Sequence, residues 1–463
     1  MQGRRHKLTS FLFFRLFGNK KVCIIIQELT KELNMREPNC TRIVPSKNLW
    51  ELAIDFMSNV DEKLMEFNLK YAYITYSISK IKRLKKRFIS DLVFLSCFND
   101  VGRLYEGEKV ASSKIETYLF LKYFSPIKAY DAIIYETKNK LSLTYEVGNM
   151  LKMCMKFTEY ILKFNNIDEA YKEIEKEKKN YSFFDFMALT KLVNKTDIIY
   201  EINSMHYKTI VYKHISRSLF SSIEKNKFFA MLSSLFEMYS PQTLYHSKTT
   251  AIISYTLARK MKIKKSRCKK IYVAGLCHDL GKVSIPLKIL EKPDKLTDRE
   301  YSIMKKHVEY TKDILKHKMD YDIIEIAYRH HEKLDGSGYP CKITASSLTV
   351  DQKILQVADI ISALLVKRSY KEAWNVDKTI SILNEMKEEN KLDKDVIDTF
   401  IKYQDKIIKT NNKLMAQADK LYEKINVERE ELEALYKELE EEKNPKPVEN
   451  KTEQKKEENK PSK

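Results

Sequence analysis

The chain has 463 residues, with 84 Lys and Arg against 64 Asp and Glu and a formal net charge of +20. At about 150 residues per domain it exceeds a single core, so two or three units are expected. Nine glycines and ten prolines exclude a loop-rich chain and, with abundant Lys, Glu, Leu and Ile, predict an all-α protein. Lysines are spread along the whole length and rise together with Ile, Asn and Tyr, as a coding bias produces, so no nucleic-acid polymer is expected as a partner. Seven cysteines (Cys23, Cys40, Cys97, Cys154, Cys268, Cys277, Cys341) show neither paired metal spacing nor a disulfide framework and fit a reducing, cytoplasmic setting.

Residues 1–50 read as a leader without assigned function, within which Met35 is an alternative start. Arg4, Arg5 and Lys7 precede Phe11, Leu12, Phe13 and Phe14, but Arg15 ends that run after four residues. It is too short for a signal-peptide core or a membrane span, and no later stretch reaches about 18 apolar residues. Residues 51–210 form a first helical block, with apolar positions at helical spacing as in Leu52, Phe56, Val60, Leu64 and Phe67. Residues 220–408 form a second.

Asn99-Asp100-Val101-Gly102-Arg103 aligns with His278-Asp279-Leu280-Gly281-Lys282, an offset of 179 residues from Asn99 to His278. An apolar helix precedes each, and Met150–Met155 resembles Ile354–Asp359 further on. These parallels predict a decayed internal duplication, the alternative being chance similarity of two helical stretches. In the first copy Phe67, Asn99 and Met155 stand where His246, His278 and Asp359 stand in the second, so that copy has lost its ligands.

Beyond about residue 408, Leu414, Ala418, Leu421, Ile425, Glu428, Leu432, Leu435 and Leu439 alternate in steps of four and three. Residues 409–443 therefore read as a coiled-coil helix, and the seam 414–439 predicts either a parallel homodimer or a helix folded back on the domain. Residues 444–463, rich in Pro, Lys, Glu and Asn, read as a disordered tail.

Chemistry concentrates in the second block. Five of the nine histidines (His246, His278, His307, His330, His331) lie there beside Asp279 and Asp359. His278-Asp279 ends an apolar helix and runs straight into Gly281 and Lys282; burying imidazole beside carboxylate is costly unless a metal joins them. The stretch from His330 to Pro340 places a His-His pair ahead of Gly336, Gly338, Tyr339 and Pro340, marking backbone forced out of regular helix. At the end of the apolar run Ile323–Ala327 the two histidines are expected to diverge by roughly 100°. Mixed imidazole and carboxylate ligands suit two divalent ions (Fe, Mn, Zn or Ni) sharing Asp279. Such a pair, about 3.5–4 Å apart, lowers the pKa of water and steadies charge on a phosphoryl centre. The chemistry these residues predict is metal-assisted phosphoester hydrolysis.

The ordered set His278-Asp279-Leu280-Gly281-Lys282, Ile285-Pro286, His307, His330-His331-Glu332, Asp335–Pro340 and Val357-Ala358-Asp359 closely resembles the HD-GYP family, a branch of the HD-domain phosphohydrolases, over about residues 235–405. The resemblance implies an HD-domain helical bundle that opens cyclic di-GMP to pGpG and onward to GMP. It implies one ion on His246, His278 and Asp359 and another on His307, His330 and His331, with Asp279 shared. It also implies that Lys282, Arg368 and Lys371 grip substrate phosphates and that Tyr339, with Gly338 and Pro340, borders a guanine. The departures are Gln242 for a Glu that helps hold a third metal in some members, Thr311 for Gly, Ser362 for Asp, Ser369 for Pro, and Lys353 and Lys371 for Arg. Alternatives to a cyclic di-GMP phosphodiesterase are an HD hydrolase of another cyclic nucleotide and a non-catalytic cyclic di-GMP receptor.

Overall fold

The computed structural model describes residues 44–103, 110–125, 143–195, 197–216, 246–365 and 376–443, with the single positions 127, 228, 231, 232 and 235. The leader up to residue 43 and the tail from 444 lie outside them, as do Gln242, Arg368, Ser369 and Lys371. The described residues are all-α and contain no strand, as composition predicted. None of their helices is long and apolar enough to cross a membrane.

In the first block the helices are α1 (Ser46–Val60), α2 (Glu62–Ile81), α3 (Lys86–Cys97), α4 (Val110–Phe124), α5 (Leu143–Phe164), α6 (Ile167–Lys176), α7 (Phe183–Val193), α8 (Asp197–Asn203) and α9 (His206–Ser216). The second holds α10 (His246–Lys260), α11 (Lys265–Cys277), a 3-10 turn (Leu280–Ser284), α12 (Leu287–Leu290), α13 (Asp298–Met304), α14 (His307–Leu315), α15 (Tyr321–Tyr328), α16 (Val350–Leu365), α17 (Val376–Glu388) and α18 (Lys394–Lys443). Local chemistry sets the starts: the Asp61 carboxylate accepts from Leu64 N at 2.9 Å to cap α2, and Thr297 with Glu300 forms a capping box on α13.

One buried core runs through both blocks. Helix α1, which begins inside the segment read as leader, buries Leu49, Trp50, Leu52, Ala53, Ile54, Phe56 and Met57. Its apolar residues span a wide arc of the helix and must be covered on more than one side. It packs on α2 and α9 of the first block and on the 3-10 turn and α14 of the second. The Trp50 ring meets Phe94 at 4.6 Å and Phe228 at 5.2 Å. Across the same junction Asn48 donates to the Lys318 carbonyl at 2.7 Å, and Lys318 pairs with Asp55 at 2.6 Å.

Local geometry recurs between the blocks at the offset seen in sequence. Helix α2 ends at Ile81 and turns through Arg83 at φ 55°; α10 ends at Lys260 and turns through Lys262 at φ 59°. Leu84 N donates to Ser79 O at 3.1 Å, and Ile263 N to Ala258 O at 3.0 Å. Gly102 N donates to Thr117 Oγ1 at 2.9 Å, as Gly281 N does to Thr311 Oγ1 at 2.8 Å. A Cβ at either glycine would overlap the backbone of the helix after it, so both turns need the missing side chain.

The seam lies on α18, whose first residues belong to the second block and whose backbone departs from helix at Tyr403. Between Leu421 and Leu432 it folds back, the second of its two expected arrangements: Ile425 and Leu432 are buried with Ile115, Tyr118 and Leu119 of α4. The charged seam position also has its explanation, because Glu428 accepts from Tyr123 at 2.6 Å and pairs with Lys122, while Arg429 pairs with Glu116. The side chains of Leu414, Ala418 and Leu439 lie outside the described residues. Truncating the fully buried Leu432 to Ala is expected to cost about 2–4 kcal/mol and to raise amide exchange along Val110–Phe124. Unchanged exchange in α4 would contradict this packing.

Candidate metal centre

Five elements converge on one buried point. His246 opens α10, His278 caps α11 with Asp279 next to it, His307 opens α14, His330 and His331 come directly after α15, and Asp359 lies within α16. All are buried except His331, which is partly exposed. Six of the seven sequence-predicted ligands form two metal-capable sets, His246, His278 and Asp279, and His307, His330 and His331, and the seventh, Asp359, lies against them.

Asp279 stands between the sets. Its Oδ2 lies 3.5 Å from His246 Nε2 and 3.3 Å from His278 Nε2, while Oδ1 lies 3.5 Å from His307 Nε2 and 3.9 Å from His330 Nε2. Asp359 Oδ1 is 3.0 Å from His246 Nε2 and 3.4 Å from His278 Nε2, and its Oδ2 is 3.9 Å from His331 Nδ1.

The rings are fixed from behind. His278, His307 and His330 each direct Nδ1 at a carbonyl three residues back, of Gly275 at 2.8 Å, Met304 at 2.8 Å and Ala327 at 2.6 Å. With Nδ1 donating, Nε2 keeps its lone pair and faces the centre. His246 is held by Ser362, whose Oγ lies 3.1 Å from Nδ1. Asp279 Oδ1 and His278 Nε2 are buried without hydrogen-bond partners. Orphaned donor atoms of this kind, in a set of imidazoles and carboxylates, fit divalent metal ions.

Two of the sequence departures have structural work here. Thr311 accepts from Gly281 N and donates to the His278 carbonyl at 3.0 Å, locking the His-Asp turn onto α14. Ser362 orients His246. Lys353 pairs with Asp393 at 3.1 Å, away from the ligands. Lys282, expected at a substrate phosphate, here pairs with Asp279 Oδ2 at 2.6 Å.

The His-His pair departs from expectation. Helix α15 ends at Tyr328, so His330 and His331 sit in the turn beyond it and do not diverge as helical neighbours would; their rings lie 3.9 Å apart. Glu332, without an assigned role in the sequence analysis, organises the Gly-Tyr-Pro segment: fully buried, it accepts from Cys341 N at 2.6 Å and Ile343 N at 3.2 Å. Gly338 fits because a Cβ would overlap the backbone of Glu332 and Lys333. This fold-back brings the Tyr339 ring over His331 at 4.7 Å, so one face of the expected guanine border is already covered by a ligand ring. The Tyr339–Pro340 peptide is cis.

Burial pushes His246 and His331 down, and takes His307 to about 4 and His330 to about 3. Burial opposes protonation of His278 too, but the adjoining Asp279 and Asp359 carboxylates outweigh it and raise it to about 10. Against the cost of burial, the imidazoles around them (and Lys282 at Asp279) hold both carboxyls well below their usual range.

In metal-free protein the four depressed histidines contribute stability above pH 6.5 that is lost as pH falls toward 4. His278, raised, contributes below 6.5 and loses that contribution as pH rises toward 10. The cluster's contribution should peak near pH 6.5, measurable by denaturant unfolding with chelator at about pH 5, 6.5 and 8; unfolding insensitive to pH over that range would refute the assignment. Ser362→Ala should weaken metal binding by about 10–100-fold, measured by competition with a chromogenic chelator.

The family model for the HD domain matches residues 230–396. The chain is 40% identical over 146 residues to 3'3'-cGAMP-specific phosphodiesterase 2 of Vibrio cholerae, covering 31% of this chain and 28% of the relative. It is 37% identical over 130 residues to the cyclic di-GMP phosphodiesterase response regulator RpfG of Xanthomonas campestris (27% and 34%). It is 29% identical over 213 residues to a cyclic di-GMP phosphodiesterase of Thermotoga maritima (44% and 57%). The chain thus spans little more than half the length of these relatives at most. The crystal structure of a cyclic GMP-AMP specific phosphodiesterase of V. cholerae shares the fold, with TM-score 0.50 and 16% identity over 78% of this chain and 98% of that one. Residues 230–396, which match the HD-domain family model, hold the His-Asp pair, the paired histidines and the Gly-Tyr-Pro turn in one place.

Proposed function

We propose that the chain is a metal-dependent phosphodiesterase that hydrolyses cyclic di-GMP to pGpG, and onward to GMP. The observation that carries this reading is the division of the Asp279 carboxylate between two imidazole sets. His246, His278 and Asp359 would hold one divalent ion and His307, His330 and His331 another, with Asp279 common to both. Such ions supply positive charge to a phosphoryl centre and lower the pKa of an attacking water. The chain itself supplies Nε2 atoms facing the centre, each aimed by a bond to its own Nδ1.

Lys282 reaches the same space from the Asp279 side and is the fixed cation for one substrate phosphate. Arg368 and Lys371, outside the described residues, provide the further phosphate contacts in this reading. Tyr339, braced on His331 with Gly338 and Pro340 beside it, forms the wall against which a base rests. A substrate with two phosphodiesters and two bases suits this combination of cations and an aromatic wall.

The first block, residues 51–210, is read as a decayed copy of the catalytic one, residues 220–408. Its support is the repeated turn geometry at Arg83 and Lys262 and the matched Gly102–Thr117 and Gly281–Thr311 bonds. Asn99 Nδ2 faces Met155 Sδ at 4.0 Å, in the register where His278 faces Asp359, and neither is a ligand for a hard divalent ion. Among the described residues both metal-capable groups lie in the second block.

His278→Ala and Asp279→Ala are each expected to lower turnover of cyclic di-GMP on the order of 10³-fold or more, monitored by chromatography of pGpG and GMP. Full activity in either variant would sink the site. A second substrate, 3'3'-cGAMP, is favoured by the name of the 40% identical relative. Comparing kcat/KM for the two dinucleotides assigns the preference, and binding without turnover in metal-replete protein would identify a receptor.

A further inference from the structure

Away from the metal centre, most of the large exposed apolar side chains among the described residues fall in one stretch of the chain. Of eleven large apolar side chains that are exposed among the described residues, seven fall between Leu162 and Met205 in the first block. The most prominent are Phe183 and Phe184, 72% and 75% exposed, which open α7 and sit edge to face at 5.8 Å. The inward side of this helix, Ala188, Leu189 and Leu192, already fills the core, while the outward side continues to the exposed Met187. A globular protein gains nothing in stability by presenting two adjacent phenyl rings to water, so the rings call for a partner.

Charge identifies its chemistry. Lys178 and Lys179, in a 3-10 turn just before α7, and Lys191 and Lys195 at its far end are all exposed, and none of the four is engaged in an ion pair among the described residues. From Lys178 to Lys195 the only carboxylate is Asp185, which is buried and paired with Lys82. The adjoining Glu177 is occupied as acceptor for the Tyr160 and Tyr181 hydroxyls. Between Lys178 and Lys195 the chain therefore presents phenyl rings framed by cations with no exposed carboxylate among them. A second copy of the chain would bring lysine against lysine with no carboxylate between them. Stacking on nucleic-acid bases needs open ring faces side by side, whereas these rings are turned edge to face.

We propose that the tip formed by Lys178, Lys179, Phe183, Phe184, Met187 and Lys191 is a peripheral membrane-docking site for a bilayer surface rich in anionic phospholipid. The phenyl rings enter the boundary between headgroups and acyl chains, and the lysines meet lipid phosphates. This is surface attachment, compatible with the absence of any membrane-crossing helix among the described residues.

The test is co-sedimentation of the full chain with vesicles of phosphatidylcholine alone and of phosphatidylcholine mixed with phosphatidylglycerol. Wild-type protein is expected to bind the mixed vesicles, and the double variant Phe183→Ser/Phe184→Ser to bind them at least about tenfold more weakly with unchanged thermal unfolding. Separately, Phe183→Trp should show a blue-shifted emission on adding mixed vesicles, which attraction through the overall charge of +20 would not produce. Equal vesicle binding by wild type and the double serine variant, or no binding by either, overturns the proposal. So does concentration-dependent self-association, or binding of a mixed-sequence single-stranded oligonucleotide, that the double variant loses while vesicle binding persists.

Discussion

The candidate metal centre depends on keeping one ionised carboxylate, Asp279, buried among imidazoles. A lone buried charge is costly, and the fold answers it from five directions, with side chains from α10, α14, the turn after α15 and α16 meeting the end of α11. The approach is possible because Gly281 lacks a Cβ that would overlap the His307 carbonyl and the Thr311 nitrogen. Thr311 then bonds both sides of the turn, so the distance from Asp279 to His307 is set by backbone contact and not by flexible side chains.

The same construction exists in the first block without the chemistry. Gly102 and Thr117 hold a turn of the same kind, yet its neighbours are Asn99 and Met155, and Ser113 bonds Asp100 where the second block has His307. The close glycine–helix approach thus occurs with and without the His and Asp side chains, because it stabilises the bundle whether or not an ion is held. The two blocks share α1 and a continuous core, and α18 returns from the catalytic side to close on α4. A change in how α18 sits on α4 would therefore be felt in both blocks.

Glu332 and Ser362 illustrate how polar side chains specify a site without touching substrate. Glu332, fully buried, accepts from two backbone amides across the Gly-Tyr-Pro fold-back, so that its own carboxylate is not left unpaired in the interior. Ser362 holds His246 with a neutral hydroxyl, imposing orientation without adding a further charge to a crowded centre.

The sequence by itself determined the all-helical class and marked the His and Asp side chains that meet at one buried point, because helical periodicity and the spacing of His, Asp and Gly are local properties of the chain. It also contained the 179-residue parallel, since Gly102 and Gly281 answer the same backbone constraint. Partners distant in sequence were decided only by tertiary structure: Thr311 is a bare departure in sequence and a bridge between Gly281 and His278 in the fold, and Lys282 pairs with Asp279. The heptad seam shows the limit most plainly. Its repeat announces that a partner helix is needed, but the pattern is equally satisfied by another chain or by this one, and only the fold shows Ile425, Glu428 and Leu432 packed on α4 over that stretch. The exposed phenyls of α7 were equally silent in sequence, because an apolar residue on a helix cannot be assigned to core or surface until the other helices are in place.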